Sequence, residues 1–96
     1  MGKIRLIVLD VLKPHHPSLI EITSSLSDLE GIDGADAAII EIDKEVETVK
    51  ITIAGEDINY AKVKEIIENM GASIHSIDKV SAGSKLIKEA STPQDK

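Results

Sequence analysis

Ninety-six residues with no cysteine, no tryptophan, no phenylalanine and one tyrosine fit one domain and close off several chemistries. There is no thiol for a disulfide, a thiolate zinc site, an iron–sulfur cluster or a cysteine nucleophile, and the near absence of aromatics argues against RNA or single-stranded DNA binding by base stacking. A formal charge of −6 disfavours a phosphate-backbone partner, so nucleic acid is not expected.

Lys3–Leu12 is a nearly continuous aliphatic run with apolar residues on both parities, Ile4, Leu6 and Val8 on one and Ile7, Leu9 and Val11 on the other. That pattern predicts a central strand covered on two faces. It does not read as a leader or a membrane span: Asp10 and Lys13 interrupt it, no small-residue cleavage site follows, and about 20 apolar residues would be needed to cross a bilayer. A cytoplasmic protein without membrane contact is expected. The stretch Lys13-Pro14-His15-His16-Pro17 ends the strand, because prolines remove donors and fix φ. Pro17 then opens a helix whose stripe is Ile20, Ile22, Leu26 and Leu29, closed by Gly31.

From Gly34 the period changes to two. Ala38, Ile40 and Ile42 alternate with Ile39, Glu41 and Asp43, and Val49, Ile51 and Ile53 alternate with Lys50 and Thr52, which predicts two strands. The charged segment Asp43–Thr48 joins them as a hairpin, and Gly55 ends the pair. Asp57 is the expected N-cap of a second helix running to Met70, with Val63, Ile66, Ile67 and Met70 inward and Gly71 as stop. Ser73–Val80 is the last strand, Ser84–Ala90 is compatible with a short helix, and Ser91–Lys96 reads as a frayed end. Residues 1–83 thus form one domain, and 84–96 a partly disordered extension.

The order β-α-β-β-α-β in so short a chain predicts an α+β, ferredoxin-like two-layer sandwich: both helices on one face of a four-stranded antiparallel sheet ordered 4-1-3-2. One end of that sheet gathers Asp10, Lys13, His15, His16 and His75 with the hairpin acids Asp43, Glu45 and Glu47. Strands 2 and 4 lie at opposite edges, about three spacings of ~4.8 Å apart, so His75 and Asp43 meet only if edges of two subunits come together. The Val49–Ile53 row sits under the helices, so one apolar row of strand 1, such as Ile7, Leu9 and Val11, is left on the other face. Monomers avoid such patches, and a homo-oligomer is expected.

Charge is concentrated between Glu21 and Glu47, where nine acids face the single base Lys44. Such a stretch is a solvated face, or it attracts cations or a basic neighbouring surface. The candidate metal ligands are Asp43, Glu45, Glu47, His15 and His75, with the oxygens suited to Ca²⁺ or Mg²⁺. No HxxxH spacing or 12-residue calcium loop accompanies them. Ser76 and His75 are adjacent on a strand and point to opposite faces, so they form no Ser–His pair. Asp10, a carboxylate in an apolar strand, either pairs with Lys13 or a histidine, caps the next loop or has a raised pKa. No phosphate-binding glycine pattern is present.

The segments VLDVLKPHHP (Val8–Pro17) and IHSIDKVSAG (Ile74–Gly83), with the acidic hairpin and KITIAG between them, resemble an uncharacterised archaeal family of small domains of unknown function. The resemblance runs from about Lys3 to Gly83. It implies a ferredoxin-like fold and ring-like homo-oligomers, with Leu9, Asp10, Leu12, Lys13, Pro14 and His15 in a first motif. His75, Ser76, Asp78, Val80 and Gly83 fall in a second. His16 stands where the family commonly has glutamate. Metal-transport relatives of the fold need CxxC, and acylphosphatases an arginine in the loop after the first strand; both are missing here.

Together these residues read as a homo-oligomeric domain binding a small ligand or divalent cation where subunits meet, through Asp10, Lys13, His15, His75 and Asp78. The alternatives are an enzyme acting on a small metabolite, with His15 or His75 as acid–base group oriented by Asp10, and a purely structural assembly protein.

Overall fold

Two rows on the central strand decide which side of the sheet the helices cover. The computed structural model describes residues 2–84. In chain order these form β1 (Ile4–Pro14), α1 (Leu19–Ser27), β2 (Ile32–Ile42), β3 (Val46–Gly55), α2 (Tyr60–Asn69) and β4 (Ser73–Ala82). The strands make one antiparallel sheet ordered β2-β3-β1-β4, the expected order read from the other edge. The architecture is ferredoxin-like α+β. The expected helix over Ser84–Ala90 lies outside the described residues except for Ser84. Among the described residues no helix is long and apolar enough to cross a membrane.

On β1 the odd row is the inner one. Ile7, Leu9 and Val11 are buried opposite Ile53, Ile51 and Val49 of β3, and Ile22 and Leu26 of α1, Val63 and Ile67 of α2, and Ile58 and Ala72 on either side of α2 complete the buried core. The row expected to face away from the helices is therefore the covered one. Leu6, Val8 and Leu12, interrupted by Asp10, are the outward row and are only partly buried. Each fully buried aliphatic side chain contributes about 1.5–3 kcal/mol, which is how a core without large aromatics holds this sandwich together.

Local rules explain the helix ends. Ser18 caps α1: its Oγ accepts from the Glu21 N–H (3.3 Å), while Glu21 Oε1 accepts from the Ser18 N–H (3.1 Å). The inner stripe is Leu19, Ile22, Leu26 and Leu29; Ile20, expected in it, is 81% exposed on the flank. For α2 the cap is Asn59, whose Oδ1 accepts from the Lys62 N–H (3.3 Å). Asp57 does not take that role because its segment is tied elsewhere. The Asp57 N–H donates to the Gly31 carbonyl and the Ile58 N–H to that of Ile4.

The alternation expected on β2 is shifted. Ala35, Ala37 and Ile39 lie opposite the inner row of β3, while Ala38 lies opposite Lys50. A register shift then passes over Ile40 and sets Ile42 opposite Glu47. Ile39, Ile40 and Ile42 are all exposed.

Candidate functional site

Past Val11 the inner row of β1 continues one more step, to Lys13. Its side chain is 1% exposed. The ammonium donates to the carbonyls of Pro14 (2.7 Å) and Pro17 (2.6 Å), reaches that of His15 (3.4 Å), and is paired with Glu47 Oε1 at 3.0 Å. Three N–H donors against four oxygens leave none for a ligand. Lys13 is the peg around which the KPHHP reversal is wrapped. The expected pairing of Asp10 with Lys13 does not occur, because the two lie on opposite faces of the sheet. Asp10 is on the open face, opposite Lys50 of β3 and Ser76 of β4. A signal for this was present: if the strand extends through Pro14, parity puts Lys13 in the buried row.

Glu47 also receives His15. The ring donates from Nδ1 to Glu47 Oε2 (2.9 Å) and from Nε2 to the Lys44 carbonyl (2.9 Å). Both partners are pure acceptors, so both nitrogens must carry protons, and the imidazolium is the species that fits. These bonds, the carboxylate first and the carbonyl second, raise the His15 pKa above its ordinary 6.5, against desolvation and, more weakly, the charge of Lys13. Donation by His15 and then Lys13 holds the Glu47 carboxyl below its ordinary 4.5. The hairpin turn itself closes through the Asp43 N–H to the Val46 carbonyl (2.8 Å) and the Lys44 N–H to Asp43 Oδ1 (2.7 Å). The Lys44 carbonyl was missed in the sequence, since a main-chain acceptor carries no residue signature.

The other candidates stand apart. Along β4 the register steps from Lys79 to Ile77 and from Ser76 to Ile74 while β1 advances by one residue each time. Asp78 and His75 are thus the passed-over residues of two irregularities, the device by which strands re-aim side chains. Both are exposed. Ser76 Oγ donates to Asp78 Oδ1 (2.7 Å), so its hydroxyl is engaged with that carboxylate and not with His75. His16 is exposed in the loop, Asp43 and Glu45 are exposed at the hairpin tip, and β3 and β1 separate that edge from β4. Among the described residues no group of three His, Asp or Glu side chains converges to hold a metal ion. The sheet end therefore divides into a closed cluster, Lys13–Glu47–His15, and two open sets of polar groups on opposite edges.

Similarity to known proteins spans all of these elements. The model of the DUF211 family, described as "Uncharacterized ArCR", matches residues 5–96. The uncharacterized protein MJ0319 of Methanocaldococcus jannaschii is 50% identical over 96 residues, which are all of this chain and 99% of that relative. With the match running from the start of β1 to the last residue, the chain belongs to the DUF211 family, an uncharacterised family of unknown function.

Proposed function

We propose that the protein is a cytoplasmic homo-oligomeric module that holds a small ligand or a divalent cation where copies meet, and that it binds rather than catalyses. One observation carries this reading: four of the candidate groups left open, Asp43, Glu45, His75 and Asp78, sit on the two sheet edges beside exposed aliphatic residues, while Asp10 lies between them on the open face of β1. On the β2 edge Asp43 and Glu45 adjoin Ile39, Ile40 and Ile42; on the β4 edge His75 and Asp78 adjoin Ile77 and Val80. Two different edges pair head to tail, and a head-to-tail contact that closes gives a ring. The partly covered row Leu6, Val8 and Leu12 adds apolar surface on the open face. Carboxylate oxygens from one copy with His75 and Asp78 from the next make a set for Ca²⁺ or Mg²⁺, or for a small polar ligand. Lys13, His15 and Glu47 are left out because they are engaged with one another.

Native mass spectrometry of the protein purified from its source is expected to show a multimer with ligand retained. Light scattering that finds a 10.3 kDa monomer at micromolar concentration would overturn the reading. The His75→Ala variant is expected to keep the assembly and lose Ca²⁺ or Mg²⁺ binding in a calorimetric titration. A variant that falls apart would point to a purely structural role for the second motif. Loss of turnover of a small metabolite, with binding and assembly intact, would point to acid–base catalysis.

A further inference from the structure

Lys13 joins the base of the β2–β3 hairpin to the β1–α1 loop through Glu47, and His15 ties in the turn as well. His15 reaches two acceptors on the hairpin, the Glu47 carboxylate near the start of β3 and the Lys44 carbonyl in the turn, each at 2.9 Å. A neutral imidazole carries one N–H and one lone pair. In that state one nitrogen faces an oxygen lone pair, and the two repel. The proton stays where the bond is stronger, on Nδ1 toward the carboxylate, so the bond to Lys44 is the one that breaks. We propose that His15 is a protonation-operated latch: the imidazolium fastens the hairpin turn to the β1–α1 loop, and the neutral ring lets the turn go while staying on Glu47.

The charged groups acting on the ring come from both sides of it. Glu47 of β3 favours the cation and Lys13 of β1 opposes it, and the balance is upward. The latch is therefore fully closed below the ordinary value of 6.5 and opens as pH rises through the higher folded value. Glu47, held below its ordinary 4.5, stays ionised throughout that range and keeps its ion pair with Lys13, so the base of the hairpin stays fixed while its tip is released. The tip carries Asp43 and Glu45 beside the exposed Ile42. Control of ligand binding by the latch rests on the assembly proposed above; the latch itself does not.

Hydrogen exchange read by mass spectrometry on the full chain, with times matched for intrinsic rate, tests this at about pH 6 and about pH 8.5. The segment 42–48 is expected to lose protection about two- to fivefold at the higher pH, while 49–55 does not change. His15→Gln is expected to make segment 42–48 insensitive to pH, Glu47→Gln to move the transition to lower pH, and His75→Gln to leave it as it is. A wild-type segment whose protection does not change with pH, or a His15→Gln protein that keeps the response, would falsify the latch. Native mass spectra of the same samples separate the two proposals. A monomer with a pH-responsive hairpin removes the assembly reading alone, and a multimer with an unresponsive hairpin removes the latch alone.

Discussion

Replacing Lys13 with alanine is expected to lower the unfolding free energy by about 3–5 kcal/mol in chemical denaturation, the range for removing one partner of a buried ion pair. The side chain is 1% exposed, and its ammonium serves Glu47 and the Pro14 and Pro17 carbonyls together. Alanine takes the donor from all of them, and each buried acceptor left unpaired costs about 1–3 kcal/mol. Lys13→Met is expected to fare little better, since it keeps the aliphatic stem but sets a methyl group among oxygens. By contrast His75→Ala, at an exposed position, should stay within about 0.5 kcal/mol of the parent. The two variants separate roles that residue type alone leaves mixed. A lysine reaching for a ligand would give a stable variant that binds poorly; a lysine holding the loop gives an unstable one. The loop it holds also carries His15, so the pH response of the hairpin should disappear with it.

The fold was readable because its signals are redundant. Val49, Ile51 and Ile53 alternate cleanly, the first strand is apolar throughout, and two helical stripes separate the strands in an order that few architectures accommodate. That same uniformity on β1 hid which row goes inside, since Leu6, Val8 and Leu12 are as apolar as Ile7, Leu9 and Val11. The choice shows only at Lys13, where a charge ends the inner row and finds its partners in the adjoining turn. Strand irregularities account for the rest. Two unpaired residues on β2, Asp33 and Ile40, and two on β4 invert the parity of the residues beyond them, so Ile40, His75 and Asp78 could not be placed by alternation. The closed cluster was half visible: Glu47, His15 and Lys13 were candidates, but as ligands for something else. Their mutual engagement depends on the β1–β3 register, which sets Lys13 opposite Glu47, and on a main-chain carbonyl, neither of which leaves a mark on residue type.

Gly55→Ala is expected to be about as damaging as the change at Lys13, with a loss of about 3 kcal/mol or more, for a reason of space rather than charge. Gly55 is buried where the end of β3 passes the start of β2. A Cβ there would overlap the Gly31 carbonyl and lie 2.8 Å from the Ile32 Cα, and both obstacles are main chain. Moving them is costly because the Gly31 carbonyl accepts from the N–H groups of Glu56 (3.0 Å) and Asp57 (3.3 Å), while the Gly55 carbonyl accepts from Arg5 Nε (3.2 Å). Gly31 is fixed as well, at φ +87°, with Asp57 against the position of its own missing Cβ. The internal control is Gly34, in β2, where an added Cβ meets nothing within 4 Å. Gly34→Ala should be neutral or stabilising by about 0.4–1 kcal/mol, because it restricts only the unfolded chain. In a domain of this size each 1 kcal/mol moves the melting temperature by about 4–8 °C, so thermal scans should place Gly55→Ala well below the parent and Gly34→Ala at or above it. Equal shifts would mean that the close approach of Gly55 and Gly31 does not constrain the fold. Both glycines lie at the end of the sheet away from His15, so Gly34→Ala should also retain the full pH response of the hairpin. A change at one end of the sheet can then be read for stability, and one at the other for the latch, without either obscuring the other.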